Sequence, residues 1–172
     1  MRTDRAGRLL NNKIKNLPAL KKIISSLKKQ GRRIVFTNGC FDLLHYGHVK
    51  YLQDAKRYGD ILIVALNSDS SVRKIKGTGR PIVNELDRIR IISALESVDY
   101  TVLFKEKTPL KLIETLKPDI LVKGSDWDKN NIIGANFVLN HGGRVLTIKL
   151  TVGRSTTNLI KKAASATKNR CG

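Results

Sequence analysis

Residues 34–48 read IVFTNGCFDLLHYGH. The first four, Ile34-Val35-Phe36-Thr37, have the length and apolar, β-branched character of a short buried strand. The stretch Asn38-Gly39-Cys40-Phe41-Asp42 that follows is a turn, and Gly39 within it lets the backbone lie close to a ligand. From about residue 47 to Tyr58 the pattern becomes helical, and Gly59 stops it. A strand, a turn and a helix in direct succession open a β-α-β unit. The free N–H groups and the positive dipole end at the start of such a helix favour a phosphate.

The alternation repeats downstream. Ile61-Leu62-Ile63-Val64-Ala65-Leu66 is a continuous apolar run that suits a parallel strand covered on both faces. Residues 70–83, rich in Lys, Arg and Gly, read as a loop. Leu86, Ile89, Ile92 and Leu95 recur at helical spacing across 84–97. A strand is expected over 100–104, followed by a helix opened by Thr108-Pro109. Ile120-Leu121-Val122 forms a strand that ends at Lys123-Gly124. A helix over 131–141 stops at Gly142-Gly143, a strand covers 145–150, and a last helix starts at Ser155. This order predicts an α/β fold, a Rossmann-like three-layer sandwich around a five-stranded, mostly parallel sheet. Ligands of such sheets bind beyond the carboxyl ends of the strands, which directs attention to 37–48, 67–80, 123–128 and 151–157.

Composition narrows the class. The chain has 172 residues, 41% hydrophobic and 27% charged, an ordinary globular mixture with enough apolar material for one core. No run approaches the roughly 20 apolar residues of a membrane span, and no apolar N-terminal segment of secretory type is present. Two cysteines, Cys40 and Cys171, make no disulfide framework, so a reducing, cytoplasmic setting is expected, with no membrane partner. The net charge of +19 sits mostly on the ends: residues 1–33 hold eleven Lys/Arg against one acid, and 161–172 hold four against none. Basic ends bind polyanions without sequence preference. At 5% aromatic residues, however, the chain offers no interleaved stacking platform, and no specific nucleic-acid partner is expected. A nucleic-acid-binding module using the ends is the alternative from another functional class. The domain reading is a basic extension over 1–32 with an amphipathic helix at about 17–30, a main domain over 33–162, and a basic tail over 163–172.

His45 and His48 are three residues apart at a helix start, so their rings can project to one side, and Gly47 between them leaves space for a bulky ligand. Two imidazoles beside helix N–H groups can donate hydrogen bonds to a triphosphate. A zinc pair is the other chemistry open to them, but Asp42 is awkwardly spaced for it, and no metal site is read. Arg73, Lys74, Lys76 and Arg80 are cations able to clamp phosphates and neutralise transition-state charge. Gly77 and Gly79 suggest that they ride on a lid. Arg154-Ser155-Thr156-Thr157 opens the last helix, with Ser155 a good cap. After the strand at 120–122, Gly124 lets a nucleoside approach the backbone, Asp126 can accept from ribose or base, and Trp127 is the only tryptophan.

Gly39-x-Phe41-Asp42 followed by His45-x-Gly47-His48 resembles the nucleotidyltransferase superfamily of cytidylyltransferases and adenylyltransferases, whose His-x-Gly-His type is shared with class I aminoacyl-tRNA synthetases. Further matches are Leu66-Asn67-Ser68-Asp69, Lys76-Gly77-x-Gly79-Arg80-Pro81, the run from Asp119 to Trp127, and Arg154-Ser155-Thr156-Thr157-Asn158. With these, about 33–162 resembles the D-glycero-β-D-manno-heptose 1-phosphate adenylyltransferases, also found as the second domain of a bifunctional kinase–adenylyltransferase. No sugar-kinase segment is present, which suits the stand-alone form. The resemblance implies ATP and a sugar 1-phosphate as substrates, with in-line attack on the α-phosphorus. Mg²⁺ would travel with the triphosphate and keep many of its waters. ADP-heptose for surface polysaccharide would be the product, and a homodimer the assembly. It also implies roles for particular residues. His45, His48 and Lys76 are catalytic. Thr37, Asn38, Gly39, Phe41, Gly47, His48, Lys123, Gly124, Asp126, Trp127, Arg154, Ser155 and Thr156 bind the nucleotide. Asp42, Lys74 and Arg80 serve the substrate phosphate. Composition and spacing do not separate adenine from cytosine, so a cytidylyltransferase acting on glycerol 3-phosphate or a related polyol phosphate stays open.

Overall fold

The apolar runs expected as strands pair into one sheet. The computed structural model describes residues 12–125, 131–151 and 153–168. Its strands are β1 (Ile34–Gly39), β2 (Ile61–Asn67), β3 (Tyr100–Phe104), β4 (Ile120–Gly124) and β5 (Arg144–Ile148), in the order β3-β2-β1-β4-β5. Every neighbouring pair is parallel, with Ile34 opposite Ile61 and Ile120 opposite Arg144. The expected sheet was mostly parallel; the observed one is wholly so.

Seven helices are described: α1 (Leu17–Lys29), α2 (Tyr46–Lys56), α3 (Asp69–Lys76), α4 (Glu85–Ser93), α5 (Leu110–Leu116), α6 (Ala135–Asn140) and α7 (Thr156–Lys168). Strand periodicity divides the core between two faces. Ile34, Phe36, Ile63 and Ala65 point to one face and are covered by Leu20 and Ile24 of α1, Ile113 of α5 and Val138 of α6. Val35, Leu62, Val64 and Leu66 point to the other, beneath Leu52 and Ala55 of α2 and Ile92 of α4. Burial on both faces is why the central strands read as unbroken apolar runs. Each fully buried side chain of this kind contributes roughly 1.5–3 kcal/mol. Leu20 is fully buried, so α1 is part of this packing, capped at its start by Asn16, whose side chain accepts from the Ala19 N–H. Ile14 forms a parallel bridge with Thr101 and covers part of the β3 edge.

Two elements differ from expectation. Residues 70–83, read as a loop from composition, begin with the two-turn helix α3. Ser68 caps it by accepting from the Ser71 N–H, and Val72, fully buried, anchors it. One buried apolar side chain in a helix of eight residues is too little to register as periodicity. The helix expected over 131–141 is confined to Ala135–Asn140. Gly134 before it has φ +86°, and a Cβ there would lie 2.6 Å from Ile113 Cδ1, so the chain turns sharply before the helix can start.

β1 lies between β2 and β4. The chain winds outward through β2 and β3, then crosses to the other side of β1 for β4 and β5. A crevice therefore opens at the carboxyl ends of β1 and β4, the switch point at which open parallel sheets bind ligands. Among the described residues, no helix is long and apolar enough to cross a membrane.

Candidate active site

The turn from β1 into α2 carries the two histidines to this edge. His45 is the N-cap of α2, in extended conformation and with no side-chain capping bond, so its ring is left to the site. The His48 N–H bonds the His45 carbonyl in the first turn. The two rings stack with centroids 3.8 Å apart and planes at 18°, and Phe41 meets His48 edge-on at 5.3 Å. Phe41 adopts φ +44°, an uncommon backbone state for a bulky residue, which turns its ring back under the histidines. Gly39 permits this, because a Cβ there would stand 2.9 Å from the Phe41 ring.

Gly47 has a different use from the expected one. A Cβ on it would meet His45 Nδ1 at 3.0 Å and Arg154 Cβ at 3.2 Å. The space over Gly47 is thus filled by the His45 ring and by Arg154, and the glycine brings the start of the last helical segment against the histidine turn. Ser155 caps that segment as expected, its Oγ accepting from the Asn158 N–H at 3.1 Å. The two helix starts, α2 and α7, converge.

The electrostatics follow from this packing. Burial, aided by the His45 charge and only partly opposed by Asp42, lowers the His48 pKa from 6.5 to about 4. Burial and the neighbouring Arg154 charge lower that of His45 as well. Both rings are therefore neutral near pH 7, each with one N–H to donate and one lone pair to accept. Among the described residues, the buried side-chain atoms without a hydrogen-bond partner are Asn38 Oδ1, His45 Nδ1 and His48 Nδ1. All three belong to this one turn. Buried polar groups are otherwise paired in folded proteins, so their coincidence makes this turn the candidate site for a polar ligand.

The remaining expected residues fall into three groups. Lys123 and Gly124 end β4 across the crevice, both buried, with Lys123 Nζ 3.4 Å from the Asn38 carbonyl. Arg154, Ser155 and Thr156 lie at the α7 start. The basic residues sit on the other flank: Lys74 and Lys76 are exposed in the last turn of α3, and the Lys76 and Arg80 charges reach the Cys40 thiol, where they partly offset the upward push of burial on its pKa.

Two assigned residues stand elsewhere. Thr37 is fully buried, and its hydroxyl is 2.8 Å from Tyr51 OH, which in turn donates to the Val122 carbonyl at 3.2 Å; the pair ties β1 and β4 to α2. Asp42, grouped with the substrate phosphate, is 3% exposed and engaged within the protein. Its carboxylate accepts from Arg80 Nε at 2.7 Å and from the Ile82 and Val83 N–H groups at 2.9 Å, so it holds the loop after α3 against the histidine turn. An anionic, already saturated group is a poor partner for a phosphate. Asp126 and Trp127 lie outside the described residues.

Sequence reasoning missed Arg88. The helical stripe read from Leu86, Ile89 and Ile92 places Leu86 inside, yet Leu86 is 56% exposed and Arg88 is 1% exposed. Its position beside Ile89 and four before Ile92 was the available signal, masked by the rule that arginine faces solvent. An open hollow of about 480 Å³ between Asp69, Arg73, Glu85 and Lys105 lies on the α3–α4 side, and its opposed charges make it a weaker candidate than the histidine turn.

A parallel doubly wound sheet with a His-x-Gly-His turn at its switch point, two convergent helix starts and unpaired buried polar atoms defines a Rossmann-like α/β protein with a candidate polar-ligand site at its strand ends. Residues 36–167 match the model of one family within that class. The chain belongs to the cytidylyltransferase-like family. It is 56% identical over 154 residues to the bifunctional protein HldE of Geobacter metallireducens, covering 90% of this chain and 31% of that one. It is 53% identical to HldE of Geobacter sulfurreducens over the same length. The chain thus spans about a third of the length of these curated relatives. Among solved structures, the lipopolysaccharide core biosynthesis protein of Thermoplasma volcanium aligns with TM-score 0.59 and 33% identity, covering 70% of this chain and 98% of that one. A pantoate–β-alanine ligase from Francisella tularensis, complexed with an ATP compound and β-alanine, shares the fold at TM-score 0.59 and 18% identity. These relatives favour neither the glycerol-phosphate nor the nucleic-acid alternative.

Proposed function

We propose that the chain transfers an adenylyl group from ATP to D-glycero-β-D-manno-heptose 1-phosphate, releasing pyrophosphate and giving ADP-heptose. The observation that carries this reading is the cluster of unpaired buried atoms on Asn38, His45 and His48 at the sheet's switch point. Its support comes from the family and from the kinship with HldE.

A sugar-phosphate oxygen attacks the α-phosphorus in line. The new P–O bond forms as the bond to the β-phosphate oxygen breaks, and pyrophosphate leaves with the electron pair. The nucleophile is anionic near neutral pH, so no strong base is required, and catalysis rests on positioning and charge stabilisation. His45 and His48, neutral through burial, donate N–H groups to the phosphate oxygens. The α2 and α7 starts, with Arg154, Ser155 and Thr156, cradle the triphosphate. Asn38, Gly39, Lys123 and Gly124 line the nucleoside side of the crevice, and the resemblance gives Asp126 and Trp127 a part in nucleotide binding. Lys74, Lys76 and Arg80 receive the acceptor phosphate, and Asp42 positions Arg80 for it. Among the described residues, no group of three or more His, Cys, Asp or Glu side chains could hold a metal. Mg²⁺ would arrive as part of the Mg·ATP substrate, bound chiefly by phosphate oxygens and water. Such a reaction belongs to the cytoplasm, and the resemblance implies a homodimer.

The test is pyrophosphate release with ATP and heptose 1-phosphate set beside CTP and glycerol 3-phosphate. Turnover with the second pair alone would overturn the substrate assignment. In the active pair, His48→Ala lowers kcat by about 10²–10³-fold, the scale of losing one transition-state donor, with the circular dichroism spectrum retained.

A further inference from the structure

We propose that Arg88 is a positioning residue that fixes the acceptor-side cations relative to the histidine turn, a role that rests on the transfer reading above. Arg88 stands on α4, away from the expected motifs, and its side chain is fully buried. Its guanidinium reaches four partners on separate segments. Nε donates to the Val83 carbonyl at 3.0 Å and Nη1 to the Cys40 carbonyl at 2.6 Å. Nη2 donates to the Asn67 carbonyl at 2.9 Å and to Asp69 Oδ1 at 2.7 Å.

These partners are informative. Cys40 lies in the turn that leads to His45 and His48. Asn67 ends β2, and Asp69 begins α3, whose last turn carries Lys74 and Lys76. Val83 follows the Arg80 loop, which Asp42 holds from the other side. A planar, rigid fork joined to four acceptors sets their mutual distances in a way that an ammonium, a compact point charge, does not. Packing alone gives no reason for a charge here, since an apolar side chain of similar volume often serves stability as well as a buried ion pair. What the guanidinium adds is register between the two halves of the site. It has no path to substrate, because its surroundings are protein on every side.

The experiment uses the full chain with Arg88→Lys and, as a milder change, Asp69→Asn, which weakens one of the four bonds. Three quantities are read: thermal stability, amide hydrogen exchange, and steady-state kcat with KM for each substrate well below the melting temperature. For Arg88→Lys, exchange at Ile82, Val83 and residues 40–48 quickens about tenfold. The kcat falls about tenfold, in keeping with a displacement smaller than the 1 Å that costs about 10²-fold. KM for the sugar phosphate rises, and by more than KM for ATP, which the α7 start also holds. A merely structural brace would lower the melting temperature and leave both KM values and kcat per folded molecule unchanged, and that result overturns the proposal. If Arg88→Lys does not fold, Asp69→Asn decides by the same pattern at smaller amplitude, and an unaltered kcat and sugar-phosphate KM there overturns it. If the wild type turns over neither substrate pair, the transfer reading fails on its own. Exchange then judges the brace: faster exchange in both segments supports it, and unchanged exchange refutes it.

Discussion

Replacing Gly47 with alanine adds a single methyl group between the two helix starts of the site. That Cβ would stand 3.0 Å from His45 Nδ1, 3.1 Å from His45 Cε1 and 3.2 Å from Arg154 Cβ. Ordinary carbon contacts settle near 3.5–4.0 Å, so the His45 ring and the α7 approach must each withdraw by roughly half an ångström. Backbone energetics work in the opposite direction. Gly47 lies in the first turn of α2, where alanine favours the helix by up to about 1 kcal/mol, chiefly by narrowing the unfolded ensemble. The two effects separate stability from chemistry. Denaturation by urea is expected to leave the variant within about 1 kcal/mol of the wild type by these offsetting terms. Pyrophosphate release is expected to fall roughly tenfold in kcat, since a 1 Å misplacement costs about 10²-fold. Wild-type kcat and KM in a folded variant would refute the argument that close approach of His45 and Arg154 serves the reaction. Unfolding at room temperature would refute the energetic balance.

Two further outcomes follow from the same geometry. His48 has a folded pKa of about 4 against an ordinary 6.5. Between these values the unfolded chain binds the extra proton and the folded one does not, so stability falls as pH drops from about 6.5 to about 4. The change approaches 3 kcal/mol at the lower end, and His45 acts in the same sense. Urea midpoints across this range should decline for the wild type and decline less for His48→Ala; parallel curves would count against the buried neutral ring. Tyr51→Phe removes the phenol between Thr37 and Val122, leaving a buried hydroxyl without that partner, and should lower stability by about 1–3 kcal/mol. An unchanged urea midpoint would show that the Thr37–Tyr51 tie adds nothing.

The β-α alternation was legible because continuous apolar runs have few readings other than doubly covered strands. The His-x-Gly-His turn was legible because its chemistry is local: two rings three residues apart at a helix start are neighbours in any fold that keeps the helix. Helix α3 was not, since a single buried valine leaves no periodic pattern and its other supports, among them Glu85 and Arg88 at Asp69, come from outside the helix. Nor was Arg88, because an arginine in a helix is interior only when distant acceptors receive it, and here they are the carbonyls of residues 40 and 67 and the Asp69 carboxylate.

The sequence by itself therefore determined the layered architecture and the turn that holds the imidazoles, both consequences of short-range periodicity and spacing. Tertiary structure alone decided that Gly47 meets Arg154, that Asp42 holds Arg80 instead of facing a phosphate, and that Arg88 lies inside. Each of those is a contact between segments far apart along the chain. Such contacts depend on where the completed sheet places its strand ends, and no local pattern of residues encodes that distance.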